Sequence, residues 1–226
     1  MPHVLDNPVW HALTGRQNDI SLGSGLARRY LTDISTWAAL ADEGDAALAE
    51  LSSLVPAGGS VILARKSDRP FASTPRLSAA PFEGLQMVGE NLAPLDALDE
   101  AIDLTDADAP DMIELAMLTR PGPFIARTHT MGSFIGIRKE GRLIAMAGER
   151  FKLDGYTEVS GVCTHPDWRG RGYAGLLSRI VATRIMARGE TPFLHAFITN
   201  TAAIRLYESL GFVARRRLQG AVLRGV

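Results

Sequence analysis

From about residue 101 onward, apolar residues recur at alternating strand and helix spacings. Residues 101–105 read as a strand, and Thr105 or Asp106 can cap a helix carrying Met112, Leu115, Ala116 and Thr119 at helical spacing. Segments 133–139 and 142–148 flank Glu140-Gly141 and predict a tight antiparallel hairpin. A third strand over 157–164 should place Glu158, Ser160, Val162 and Thr164 on one face and Val159, Gly161 and Cys163 on the other. A loop, a glycine cluster and a long helix ending near Gly189 follow. A strand over 193–198, a helix over 201–210 and a strand over 212–218 complete the pattern.

The first hundred residues are patterned more weakly. Ser35 can cap a helix through Trp37, Ala38, Leu40, Ala47, Leu48, Leu51 and Leu54, interrupted near Gly44 and stopped at Pro56-Ala-Gly-Gly59. Strands are predicted over 60–64 and 85–88, with a loop holding Pro70, Pro75 and Pro81 between them. The turn-rich stretch 89–100 is the expected boundary between a smaller α/β domain, 1–98, and a larger domain, 99–226. No recognisable chemical motif lies in the first of these.

Length agrees with this division, since 226 residues at roughly 150 per domain leave about one and a half domains. With 46% hydrophobic and 22% charged residues the chain can build a core. Its single cysteine, Cys163, excludes an intrachain disulfide and a cysteine-built zinc site, and the histidines show no metal-ligand spacing, so no metal is expected. No apolar run approaches the ~18 residues needed to cross a bilayer, and no basic-then-apolar leader opens the chain. A cytoplasmic protein with no membrane or nucleic-acid partner is the expectation. The net charge of −1 hides an asymmetry: residues 1–98 carry 7 Lys+Arg against 11 Asp+Glu, and residues 99–226 carry 17 against 14. Residues 165–226 hold ten arginines, no lysine and three acids. Such clustering suits either phosphate groups or a solvated basic face.

Arg169-Gly-Arg-Gly-Tyr-Ala-Gly175, between a strand and a helix, can turn its N–H groups toward an anion at the helix N-terminus. Gly170, Gly172 and Gly175 also spell a dinucleotide fingerprint. Against that reading, His165-Pro-Asp-Trp-Arg169 separates the glycines from their strand, and the next strand ends in Thr199-Asn200 without a ribose-binding acid. A Walker A loop is excluded because no Gly-Lys-Ser/Thr follows. Instead, Val162-Cys-Thr-His-Pro-Asp-Trp-Arg-Gly-Arg-Gly-Tyr-Ala174 resembles motif A of the GNAT superfamily of N-acetyltransferases, and Asn200-Thr-Ala-Ala-Ile-Arg-Leu-Tyr-Glu-Ser-Leu-Gly-Phe212 resembles its motif B. The pair lies in the family's order, and the likeness covers about 101–218. The Cys-Thr-His-Pro wording and Pro192-Phe-Leu-His195 are similar to the C-terminal half of glycine N-acyltransferases.

The resemblance implies an α/β fold with a mixed, mostly antiparallel sheet splayed at an acyl-CoA slot, and an enzyme moving an acetyl or other short acyl group from acyl-CoA to an amine by direct attack in a ternary complex. It implies that the pantetheine arm pairs with Val162, Cys163 and Thr164, and that Gly170, Gly172, Tyr173, Ala174 and Gly175 present N–H groups to the diphosphate. Arg169 and Arg171 are candidate phosphate ligands, and Asn200 with Ala203 would contact CoA from motif B; capping the helix is Asn200's other role. Tyr207 matches the family's general acid, with packing as the alternative. Glu158 is a candidate base or an exposed strand glutamate at an edge, and His195 a candidate base or a core histidine. Cys163 reads as a small buried hydrophobe before it reads as a nucleophile. The acceptor is expected to be a small molecule or amino acid in preference to a protein. The same resemblance implies a degenerate, non-catalytic copy of the fold in the N-terminal hundred residues. A non-catalytic acyl-CoA-binding or regulatory module is the rival function.

Overall fold

A computed structural model describes residues 3–66, 71, 73–90, 92 and 101–226. Its elements are α1 (Pro8–Thr14), β1 (Ser21–Leu22), β2 (Ala27–Tyr30), β3 (Ala38–Leu40), α2 (Asp45–Leu54), β4 (Ser60–Arg65), β5 (Leu77–Val88), β6 (Ile102–Leu104) and α3 (Ala109–Thr119). They continue with β7 (Phe134–Lys139), β8 (Arg142–Leu153), β9 (Tyr156–Thr164), α4 (Tyr173–Met186), β10 (Thr191–Phe197), α5 (Thr201–Ser209) and β11 (Val213–Gly225). Eight strands form one sheet in the order β4-β11-β5-β10-β9-β8-β7-β6, and β1-β2-β3 form a second, small sheet. In the large sheet only β9 and β10 run parallel; its other pairs are antiparallel. This is the mixed, mostly antiparallel sheet expected.

Local chemistry accounts for the punctuation. Thr105 and Asp108 form the anticipated capping box, which opens a short 3-10 turn ahead of α3. Glu140 and Gly141 both take positive φ, 53° and 78°, the geometry a two-residue hairpin needs to match strand twist. Helices cover both faces of the sheet. On one face, Leu177, Ile180, Val181 and Ile185 of α4 and Tyr207 of α5 pack on Ile135, Ile137, Ile144, Val159 and Leu194. Their strand neighbours point the other way. Phe134, Met146 and Cys163 meet Met112 and Leu115 of α3, while Phe151, Leu153, Val88 and Phe193 meet Leu5, Val9, Leu13 and Trp37.

Three expectations are corrected. The helix predicted from Ser35 begins only at Asp45, after Gly44. Residues 38–40 instead pair with β2, and Trp37, Ala38 and Ala39 are all buried, as a strand between covered faces requires. Tertiary pairing here overrides helix propensity. The strand expected over 85–88 extends back to Leu77 through Pro81. At Pro81 it pairs only with β11, so one edge is free and the missing N–H costs no ladder bond. Finally, the alternation predicted along β9 breaks at Gly161, whose φ is 65°. Between Ser160 and Cys163 the strand carries one residue more than β8 opposite it, a β-bulge. Val159 and Val162 consequently pack on the same cluster, and Cys163 turns to the opposite face with α3.

The boundary expected within 89–100 falls largely outside the described residues, as does Pro70. On either side of it the strands share one sheet, with β5 lying between β10 and β11.

Candidate active site

The parallel strands β9 and β10 pair over three positions, from Tyr156 opposite Thr191 to Glu158 opposite Phe193, and then diverge. The split opens a cleft of about 940 Å³ that passes from one face of the sheet to the other. Val162, Cys163 and Thr164 border it on one side and His195, Ala196 and Phe197 on the other. The buried hydroxyl of Thr164 has no hydrogen-bond partner among the described residues.

At one end of the cleft, His165 Nδ1 accepts the N–H of Asp167 and starts the 3-10 turn Pro166–Trp168. Gly170 and Gly172 then adopt φ of 75° and 82°, conformations that disfavour any residue with a side chain, and Gly172 caps α4. A Cβ at either glycine would meet no atom within 4 Å, so the space over the loop is open. Among the described residues, no backbone N–H from Gly170 to Gly175 has an acceptor in the chain. Six consecutive donors at the positive end of a fourteen-residue helix form an anion cradle. Arg171 lies over the Trp168 ring at 4.5 Å, and Arg169 Nε reaches Thr164 O at 3.4 Å.

From α5, Asn200 Oδ1 accepts the N–H of Ala203 at 3.2 Å, the expected cap. Two turns later Tyr207 lines the cleft while only 9% exposed. Burial, with smaller contributions from Cys163 and Glu158, pushes its phenol up to about 12, so it holds its proton through the neutral range. Among the described residues that phenol has no hydrogen-bond partner, which leaves its O–H available to a ligand. Burial likewise raises the Cys163 thiol to about 11, which makes it a poor nucleophile.

All fifteen predicted site residues border the cleft except Glu158, which is fully buried. Its carboxylate accepts Arg150 Nε at 2.7 Å and Arg150 Nη2 at 2.8 Å, a bidentate pair. Burial alone would raise its pKa, but the charge and hydrogen bonds of Arg150, aided by His195, hold it down at about 2. The tautomer of His195 follows from its neighbours. Arg215 Nη1 donates to Gln86 Oε1 at 2.8 Å, so Gln86 Nε2 is the donor to Leu5 O at 3.0 Å and to His195 Nε2 at 3.1 Å. His195 Nε2 therefore accepts, and its proton sits on Nδ1, 2.6 Å from Glu158 Oε1. The lone pair of the imidazole and both carboxylate oxygens are already engaged.

The arginine-rich segment is corrected in part. Only Arg169 and Arg171 of its ten arginines reach the cleft. Arg184 pairs with Asp103, Arg188 with Glu149 and Glu190, and Arg215 and Arg216 with Asp6. These four arginines serve ion pairs, and those of Arg215 and Arg216 with Asp6 join the two parts of the chain. Sequence reasoning did not find the far end of the cleft, where Trp37, Ile62, Phe82, Leu218 and Val222 gather with Thr119 to Pro123 and Arg150. Arg150 gave no signal either, since it sits in the charged stretch Glu149-Arg-Phe-Lys152 and reads as a surface residue.

Residues 134–219 match the FR47-like protein family. A GNAT-family protein from Novosphingobium aromaticivorans is 39% identical over 100% of both chains, with a TM-score of 0.93. A GCN5-related N-acetyltransferase from Kribbella flavida shares the fold at 16% identity and a TM-score of 0.63, over 97% of this chain and 93% of that one. A GNAT-family acetyltransferase from Colwellia psychrerythraea does so at 14% identity and a TM-score of 0.55, over 99% and 98%. No curated protein matches the sequence. Full-length identity of 39% and the split-sheet cleft together place the chain in the GNAT acetyltransferase family.

Proposed function

We propose that the protein transfers an acetyl or other short acyl group from acyl-CoA to an amine within a ternary complex. The observation that carries this reading is the run of six unengaged N–H groups, Gly170 to Gly175, beside strands that part after Glu158 and Phe193. In this assignment the loop takes the diphosphate, assisted by Arg171. The free edge at Val162, Cys163 and Thr164 takes the pantetheine arm as an added strand. Asn200 and Ala203 line its other side.

The amine nitrogen attacks the thioester carbonyl, the C–S bond breaks, and sulfur leaves as a thiolate that receives a hydrogen bond and then a proton from Tyr207. The nitrogen surrenders one proton to water in the cleft, and solvent reprotonates Tyr207. Neither Glu158, buried behind the cleft, nor His195, in its wall, is assigned as the base, because their accepting atoms are engaged by Arg150 and Gln86. The likeness of Pro192-Phe-Leu-His195 to glycine N-acyltransferases supports a small acceptor over a protein. Among the described residues no helix is long and apolar enough to cross a membrane.

Thiol release from acetyl-CoA, measured against pH with two amines of different basicity, tests the reading. We expect amine-dependent release whose rising limb moves with the acceptor's own pKa. Tight acetyl-CoA binding without amine-dependent release would mark a binding module instead, and a limb fixed whatever the amine would restore an enzyme base.

A further inference from the structure

The cleft has two chemically distinct ends. On the face covered by α4 and α5 it presents the anion cradle. On the opposite face its wall is assembled from Trp37 and strands β4, β5, β10 and β11. There Trp37 and Ile62 belong to the apolar cluster around Phe151 and Phe193, and Phe82 packs against it. Phe197, 50% exposed, meets Phe82 edge to face at 5.3 Å. Leu218 and Val222 complete the surface. Phe82 and Phe197, with Leu218 and Val222 beside them, make an apolar patch along the cleft, and such a patch is a mark of a ligand groove.

Charge sharpens the picture. Among the described residues the cleft is lined by no aspartate or glutamate; its charged residues are Arg120, Arg150, Arg169 and Arg171. Glu158, which touches the lining residues Arg150 and His195, is fully buried and neutralised by Arg150, and Glu83, between Phe82 and Gly84, is engaged by Gln219 Nε2 at 3.1 Å. Arg120 ends α3 with a left-handed φ of 51° and has no carboxylate partner of its own among the described residues. A second ammonium group entering this end would lose its hydration and meet no counter-charge. An apolar ring would bury against Phe82, Phe197 and Val222.

From these observations we infer that the acceptor is a monoamine carried on an apolar, ring-sized body, and that diamines, polyamines and lysine-rich peptides are excluded. This inference rests on the acyl-transfer reading and adds the substrate class. The lining also favours the neutral amine over its ammonium form, consistent with attack by a free base that needs no carboxylate.

The experiment compares phenethylamine, putrescine, spermidine and a lysine-containing peptide as acceptors by thiol release from acetyl-CoA, alongside calorimetric binding of acetyl-CoA. The expected result is kcat/KM at least tenfold higher for phenethylamine than for any acceptor with two positive charges. Phe82→Glu, which installs a carboxylate at the apolar end, should narrow or invert that ratio by a further tenfold while acetyl-CoA still binds. A purely structural role for Phe82 would lower all acceptors equally and leave the ratio fixed. Preference for putrescine, spermidine or the peptide, or a ratio unmoved by Phe82→Glu, overturns the inference and leaves acyl transfer standing. If acetyl-CoA binds and no amine releases thiol, the acyl-transfer reading falls and the inference with it.

Discussion

Tyr207 shows how a single side chain acquires a role from where it is held. On an amphipathic helix it could be a packing residue, and its ring does meet Phe212, with centroids 5.9 Å apart. Burial raises the phenol to about 12, however, and its hydroxyl finds no partner in the described protein while facing the cleft. Tyr207→Phe keeps the ring and deletes that O–H. Turnover should fall on the order of 10² to 10⁴, the usual worth of a positioned proton donor. Acetyl-CoA affinity measured by calorimetry should stay unchanged, and wild-type turnover would return Tyr207 to packing alone. Cys163 illustrates the converse: a nucleophile by residue type, it faces α3 with a thiol raised to about 11 and remains a small apolar group.

At the scale of elements, the two devices that make the cleft differ in how visible they are to sequence reading. The loop into α4 is local chemistry. Glycines at 170 and 172 followed by an apolar helical run announce a turn with positive φ and a helix N-terminus, and both are present. Gly172→Ala would place a side chain in a left-handed conformation at a cost of roughly 1 kcal/mol. It should lower the melting temperature slightly and acetyl-CoA affinity more, since the strain falls on the donors themselves. Affinity equal to wild type would detach that loop from the ligand. The bulge at Gly161 was only half legible, because a lone glycine inside a strand points to a bulge or to a close backbone approach without choosing between them. Strand β3 was hidden by consecutive apolar residues that fit a helix equally well until β2 lies beside them. The apolar end of the cleft comes from Trp37 and four strands spread along the sequence, so no window along the chain could reveal it.

Across the whole molecule, buried charges tie distant segments together. Asp6 near the N-terminus holds Arg215, Arg215 holds Gln86, Gln86 fixes His195, and His195 meets Glu158, which Arg150 neutralises. Unfolded, the Glu158 carboxyl protonates near its ordinary 4.5; folded, it does so at about 2. The pair therefore contributes its full stability above about 4.5, and that contribution drains away as pH falls toward about 2. Removing Arg150 instead strands a buried carboxylate, so Arg150→Ala should cost roughly 3–5 kcal/mol near neutral pH. Chemical denaturation at pH 7 and pH 3 would check both statements. A deficit that does not shrink at the lower pH would show that Arg150 stabilises through its stacking on Trp37 and Phe151 alone.

The position of β5 between β10 and β11 has a consequence for how the chain comes to exist. Residues 77–88 emerge from the ribosome with neither of their sheet neighbours yet synthesised, and they must wait for more than a hundred further residues. Most pairings of this strand are of high contact order, and its two edges stay unpaired until β10 and β11 arrive. During synthesis those open edges are where mispairing with another chain can begin. Strand β11 acts as a latch: once it slides between β4 and β5, the strands on either side of residues 89–100 belong to one sheet.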